Sequence, residues 1–215
     1  GSRANGTLGF VFTLNQDLFI ERHYSSNHSF LSHPGVKKIP DNHTTIMKLP
    51  LKAQDYILLP TIDKLEKQFH SRTLHYIKLH GSYGWTSSDG LNTLVIGKNK
   101  EDQIANEPVL SWYFELFKEV ILKDNKKLLV IGYGFRDDHI NEVIAESITK
   151  YGLKIYVLSP TDQSNFIAQL REISHGKEIL SGLSGYFPYN LLEVFPSDQS
   201  ESHAWREIKE TFFMN

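Results

Sequence analysis

Cysteine is absent from the 215 residues, which excludes a disulfide framework, thiolate zinc ligands and a cysteine nucleophile. The absence also suits a reducing compartment, so a cytoplasmic location is expected. Net charge is nearly absent too: 23 Lys and Arg stand against 25 Asp and Glu, leaving −2. A field that weak would not draw a polyphosphate backbone from a distance, and no direct nucleic-acid partner is expected. The densest basic run, Lys123-Asp124-Asn125-Lys126-Lys127, reads as a solvated loop. No apolar run approaches the about 18 residues that a membrane-spanning helix needs, so no membrane partner is expected either. Asn5, Asn27 and Asn42 each open an Asn-x-Ser/Thr triplet; without a secretory signal these read as coincidence. His-Glu-x-x-His and Gly-x-Ser-x-Gly are missing as well, which removes the familiar metalloprotease and hydrolase motifs.

What is present is an ordinary globular balance of 40% hydrophobic and 22% charged residues. A chain of this length buries roughly 70% of its unfolded surface without staples, and residues 1–215 are expected to form a single α/β domain. The clearest unit is Lys127-Leu-Leu-Val-Ile131 followed by Gly132-Tyr-Gly134-Phe135. The run is short, branched and uninterrupted, as in a parallel strand covered on both faces. Asp137 or Asp138 can then cap a helix whose apolar face is Ile140, Val143, Ile144, Ile148 and Tyr151, closed by Gly152. Lys154 to Leu158 supplies the next strand, making a strand–helix–strand unit.

Gly9 to Thr13 and Tyr76 to Leu79 read as two further strands, and residues 109–122 as a strongly apolar helix. Residues 25–50, rich in Ser, His, Pro and Asn, read as an irregular insertion, with His23, His28, His33 and His43 in solvated loops. Leu192 to Phe195 is expected as an edge strand and Trp205 to Phe213 as a terminal helix. Ser82 and Trp85 are read as loop packing.

Three strand ends then stand out: Asn15 and Asp17, His80 and Gly81, and Gly132 and Gly134. In open parallel sheets ligands bind beyond the carboxyl ends of the strands, so neighbouring strands would bring these groups to one crevice. Singly, each has a plainer reading: Asn15 a turn former, Asp17 a helix cap, His80 a structural histidine and Gly132-Tyr-Gly134 a tight strand-to-helix turn. The turn has the first two glycines of a dinucleotide fingerprint but Asp137 where the third belongs. An acidic group at the helix start disfavours a phosphate and favours a ribose or adenosine.

Together the motifs resemble the sirtuin family. Thr13-Leu14-Asn15-Gln16-Asp17 resembles the sirtuin Thr-Gln-Asn-x-Asp pattern, Lys78-Leu-His80-Gly-Ser82 resembles the segment carrying the sirtuin catalytic histidine, and Val130 to Asn141 looks like the later Gly-rich turn of the divergent sirtuin-like branch. The resemblance covers roughly residues 9 to 160. Without cysteines for the zinc module of deacylating sirtuins, the chain is most similar to the zinc-free domains, many of which hydrolyse NAD in bacterial anti-phage defence. The family also opens with a strand and a Gly-Ala-Gly phosphate loop, whereas eight residues precede Gly9 here. The chain is therefore expected to be a fragment, or to have an incomplete pyrophosphate site.

The resemblance implies a Rossmann-like parallel sheet flanked by helices, and NAD as substrate with no metal. It gives Asn15 the task of orienting the nicotinamide ribose or a water, and His80 that of proton acceptor. Thr13 and Asp17 would support the nicotinamide side; Gly132, Gly134 and Phe135 would meet the adenosine half, with Ser159 and Asp162 near the adenine or its ribose. The expected reaction is hydrolysis of NAD to nicotinamide and ADP-ribose. The alternatives are a non-catalytic NAD or ADP-ribose sensor that gates a partner effector domain, and an NAD-dependent protein deacylase. A homo-oligomer is compatible with any of them.

Overall fold

The computed structural model describes residues 8–20, 31–38, 56–58, 69, 73–87 and 92–214. The chain divides into two compact units, Gly1–Phe117 and Lys118–Asn215, and each holds a three-stranded parallel sheet. Helices flank these sheets, so the α/β, Rossmann-like expectation holds.

In the first unit, β5 (Leu74–Lys78) lies between β1 (Gly9–Thr13) and β2 (Leu31–Ser32), parallel to both. Its residues from His75 to Lys78 are all buried, as expected of a strand covered on both faces. A second sheet orders β3 (Val36–Lys38), β4 (Tyr56–Leu58), β6 (Gly81–Thr86) and β7 (Asn92–Leu94). Helix α1 (Lys100–Asn106) precedes helix α2 (Pro108–Ile121). Val109, Leu110, Tyr113, Leu116 and Phe117 form the buried face of α2 at helical spacing. Phe117 meets Phe12 of β1 edge-on at 5.1 Å, and Tyr113 meets Trp85 of β6 at 6.3 Å. Phe69 packs between His75 and Trp112, at 4.9 Å and 5.8 Å.

Three expectations are corrected here. Ser82 and Trp85 belong to strand β6 rather than a loop, and both are fully buried. Their strand was hidden because Gly81 and Gly84 break the apolar alternation that marks a strand. The insertion at 25–50 is not wholly irregular: its described part carries β2 and β3. His33, between those strands, is not solvated, since both its ring nitrogens are buried. His23, His28 and His43 lie outside the described residues.

The second unit follows the expected plan closely. Strands β8 (Lys127–Ile131), β9 (Lys154–Leu158) and β10 (Leu183–Phe187) pair in sequence order. Helix α3 (Asp138–Tyr151) joins the first two and buries Ile140, Val143, Ile144 and Ile148. Gly152 ends it in the left-handed conformation, donating to the Ile148 carbonyl at 3.2 Å. Helices α4 (Gln163–Arg171) and α5 (Gly176–Ser181) lead to β10.

The expected edge strand at 192–195 is instead a short helix, α6 (Leu191–Val194). Asn190 and Glu193 form a reciprocal capping box, and that local hydrogen bonding outweighs the apolar run. Helix α7 (His203–Ile208) and a π-helical turn (Lys209–Phe213) close the chain. Tyr156, Leu158, Phe187, Val194, Ala204 and Ile208 make the core beneath them.

Candidate functional site

In the first unit, β1 and β5 run in parallel with Thr13 opposite Lys78. The Leu79 N–H donates to the Thr13 carbonyl at 3.0 Å, so the ladder continues one residue past the strands. Beyond that point one segment carries Asn15 and Asp17 and the other His80, and the Tyr83 N–H still reaches the Gln16 carbonyl at 2.7 Å. Asn15, Asp17 and His80 thus follow the ends of two adjacent parallel strands, while Gly132 and Gly134 belong to the second unit.

Each side chain of the Thr13–Asp17 loop has its own place. The Thr13 hydroxyl accepts the Asn15 N–H at 3.1 Å and bends the chain locally. The Asp17 carboxylate accepts the Phe19 N–H at 2.8 Å, acting as a cap. Gln16, which sequence reasoning passed over, donates its amide to the Val95 carbonyl at 2.8 Å and to the His80 carbonyl at 3.3 Å. Asn15 is exposed.

His80 is held from the other direction as well. The Val95 N–H donates to its carbonyl at 3.1 Å, and the imidazole is 4% exposed. The turn that follows needs glycine: Gly81 has φ +68°, and a Cβ there would sit 1.8 Å from the Thr93 carbonyl oxygen. No rotamer change relieves a clash with backbone, so His-Gly is a single structural unit.

Beneath the loop lies a polar core. Lys78 donates to the Ser82 hydroxyl at 2.7 Å and to the Asp17 carbonyl, and Ser82 donates to the Gln16 carbonyl at 3.0 Å. His33 packs edge-on to Tyr76 at 5.3 Å. Burial, and then the charge of Lys78, lowers the His33 pKa to about 4. Lys78 could have been noticed in the sequence as the lone charge in the apolar run Tyr76-Ile-Lys-Leu79.

In the second unit, the Gly132–Phe135 turn follows β8, and the Gly132 N–H donates to the Leu158 carbonyl of β9 at 3.2 Å. Gly132 has φ +64° and open space where a Cβ would point; a Cβ on Gly134 would touch only the Arg136 side chain, at 3.8 Å and beyond. A Cβ at either glycine would thus meet no backbone atom. Phe135 is strained at φ 53° and its ring is buried against Phe166, at 5.9 Å.

Asn141, fully buried on α3, fixes this conformation. Its amide donates to the Phe135 carbonyl at 2.8 Å, and its oxygen accepts the Tyr133 hydroxyl at 3.0 Å. Burial, then the charge of Asp137, raises the Tyr133 pKa well above the ordinary range and keeps that hydroxyl a donor. Ser159 follows β9 and accepts the Thr161 N–H at 3.3 Å. Asp162 caps α4, accepting the N–H groups of Ser164 and Asn165 at 2.9 Å and 3.2 Å. Among the described residues, no helix is long and apolar enough to cross a membrane.

No curated protein matches the chain. A family model does: the SIR2-like domain aligns with residues 9–178, which takes in the Thr13–Asp17 loop, the His80-Gly81 turn and the Gly132 turn. The chain belongs to the SIR2-like domain family.

Proposed function

We propose that this chain hydrolyses NAD to nicotinamide and ADP-ribose. Membership of a family associated with NAD chemistry supports the substrate. The absence of cysteines favours hydrolysis over peptide deacylation, because the thiolate zinc module of deacylating sirtuins cannot be built. The observation that carries the reading is the pairing of an exposed Asn15 with a fixed His80 at adjacent parallel strand ends.

In this reading the bond between nicotinamide and the ribose carbon breaks with its electron pair going to nicotinamide, which leaves neutral. A water oxygen bonds to that carbon. Asn15 orients the ribose or the water, and His80 accepts the proton that the water or a ribose hydroxyl gives up. Thr13 and Asp17 act on the loop that holds Asn15. In the second unit, the Gly132–Phe135 turn offers its open backbone side to the adenosine half. In a bacterial cytoplasm the reaction would deplete NAD, and we assign it to anti-phage defence.

The test is nicotinamide release from NAD, followed by chromatography. Turnover should fall about 1,000-fold in His80→Ala and in Asn15→Ala, within the range for loss of a positioned acid–base group. If the unaltered chain leaves NAD intact while a known NAD hydrolase consumes it in parallel, the enzyme reading fails. Stable NAD binding by calorimetry without consumption would make the chain a sensor instead.

A further inference from the structure

Lys78 is fully buried at the end of β5, a depth that lysine almost never reaches unless paired. Its ammonium donates to the Ser82 hydroxyl at 2.7 Å and to the Asp17 carbonyl. It also lies 5.9 Å and 5.8 Å from the ring centroids of Tyr76 and Trp85, within cation–π range. Ser82 relays the bond, accepting from Lys78 and donating to the Gln16 carbonyl at 3.0 Å. The Tyr83 N–H reaches the same oxygen at 2.7 Å. Two successive carbonyls just after Asn15 are thus set by the β5–β6 segment that carries His80. Asn15, itself exposed, takes its position from them.

Energetics separate two reasons for such a lysine. Burying a charge is expensive, and an apolar side chain of similar volume is often neutral or stabilising in its place. A lysine serving the core alone could become methionine without loss of turnover. A lysine that aims Asn15 could not, because only a donor reaches both the Asp17 carbonyl and Ser82.

We propose that Lys78 is a positioning residue: with Ser82 as relay, it fixes the Asn15–Asp17 loop against the His80 turn. The kinetic consequence rests on the NAD hydrolysis proposed above; the effect on the loop does not.

The experiment compares Lys78→Met, Ser82→Ala and the double variant in the full chain. Measured well below Tm, Lys78→Met should lose about 100-fold in kcat, the scale of a small misplacement of reacting groups, with KM within about threefold and Tm lower by a few degrees, because the Asp17 carbonyl and Ser82 lose their donor. Ser82→Ala should lose about tenfold, and the double variant should match Lys78→Met, because the relay is already broken. In hydrogen exchange followed by mass spectrometry, residues 14–18 should lose protection in Lys78→Met while residues 118–215 do not. Wild-type kcat in Lys78→Met, a kcat loss that only tracks a fall in Tm, or additive losses in the double variant would overturn the proposal. If Lys78→Met does not fold, Ser82→Ala decides it, and wild-type kcat there overturns it. If the unaltered chain does not turn over NAD, the functional reading alone fails, and unchanged protection of 14–18 would still overturn the clamp.

Discussion

The central strand of the first unit, β5, buries His75 and Lys78 among its apolar residues, whereas the central strand of the second, β9, buries Ile155, Tyr156, Val157 and Leu158. The contrast continues beyond the strands. His80, Ser82, Thr86, Ser87 and Thr93 are also buried in the first unit, while the buried polar groups of the second, His139, Asn141 and Ser147, all sit on α3. Buried polar groups cost stability unless bonded, about 1–3 kcal/mol for each one left unsatisfied. In the first unit the His33 ring nitrogens, the Trp85 indole nitrogen and the Thr86 and Thr93 hydroxyls are buried without a hydrogen-bond partner among the described residues. One unit concentrates polar groups at a strand end and tolerates the cost. The other is an apolar scaffold holding a single rigid turn.

The sharpest way to break this comparison is to add one methyl group to each unit. Gly81→Ala would combine a φ of +68° with a Cβ 1.8 Å from the Thr93 carbonyl, and the loss should exceed about 4 kcal/mol. Gly132→Ala has a similar φ, +64°, but nothing within 4 Å, so its loss should be the left-handed strain alone, about 1–2 kcal/mol. Urea unfolding followed by circular dichroism measures both. A Gly81→Ala protein as stable as Gly132→Ala would show that the His80 turn is not held as described.

Acid should separate the units less drastically. The His33 pKa is lowered from 6.5 to about 4 in the folded chain, by burial first and by Lys78 second. Between those values the unfolded chain binds a proton that the folded chain refuses, so stability rises with pH across the window. The contribution is fully present above pH 6.5 and is lost as pH falls towards 4, amounting to at most about 3 kcal/mol. His33→Leu should flatten that part of the stability–pH curve. An unchanged slope between pH 4 and 6.5 would remove His33 from the account.

The same contrast explains what could be read from sequence. Lys127–Leu158 was legible because a branched strand, a helical apolar face and a capping glycine agree with one another. The Leu191–Val194 helix was misread because a four-residue apolar run carries no period, although Asn190 and Glu193 at capping-box spacing were there to be seen. Strand β6 was invisible for a different reason: Gly81 and Gly84 interrupt the alternation that would mark it, and its hairpin partner β7 is only three residues long. At the candidate site, Asn15 and His80 were singled out by their place after strands and by the family resemblance rather than by residue type alone. Gln16, Lys78 and Ser82 were missed because their work is done on backbone carbonyls, and no motif records which carbonyl a side chain will meet.

The smallest effect tests a residue with two readings. Asp162 was expected near the adenine or its ribose, and its carboxylate caps α4 through the N–H groups of Ser164 and Asn165. Asparagine caps as well as aspartate does, whereas alanine loses the cap at a cost of about 1 kcal/mol. Asp162→Ala should therefore lower Tm by a few degrees, and Asp162→Asn should leave both Tm and the KM for NAD unchanged, since only the acceptor oxygen is needed. A KM that rises in Asp162→Asn at constant Tm would show the carboxylate charge acting on the ligand. It would also move a polar function into the unit that otherwise serves as scaffold.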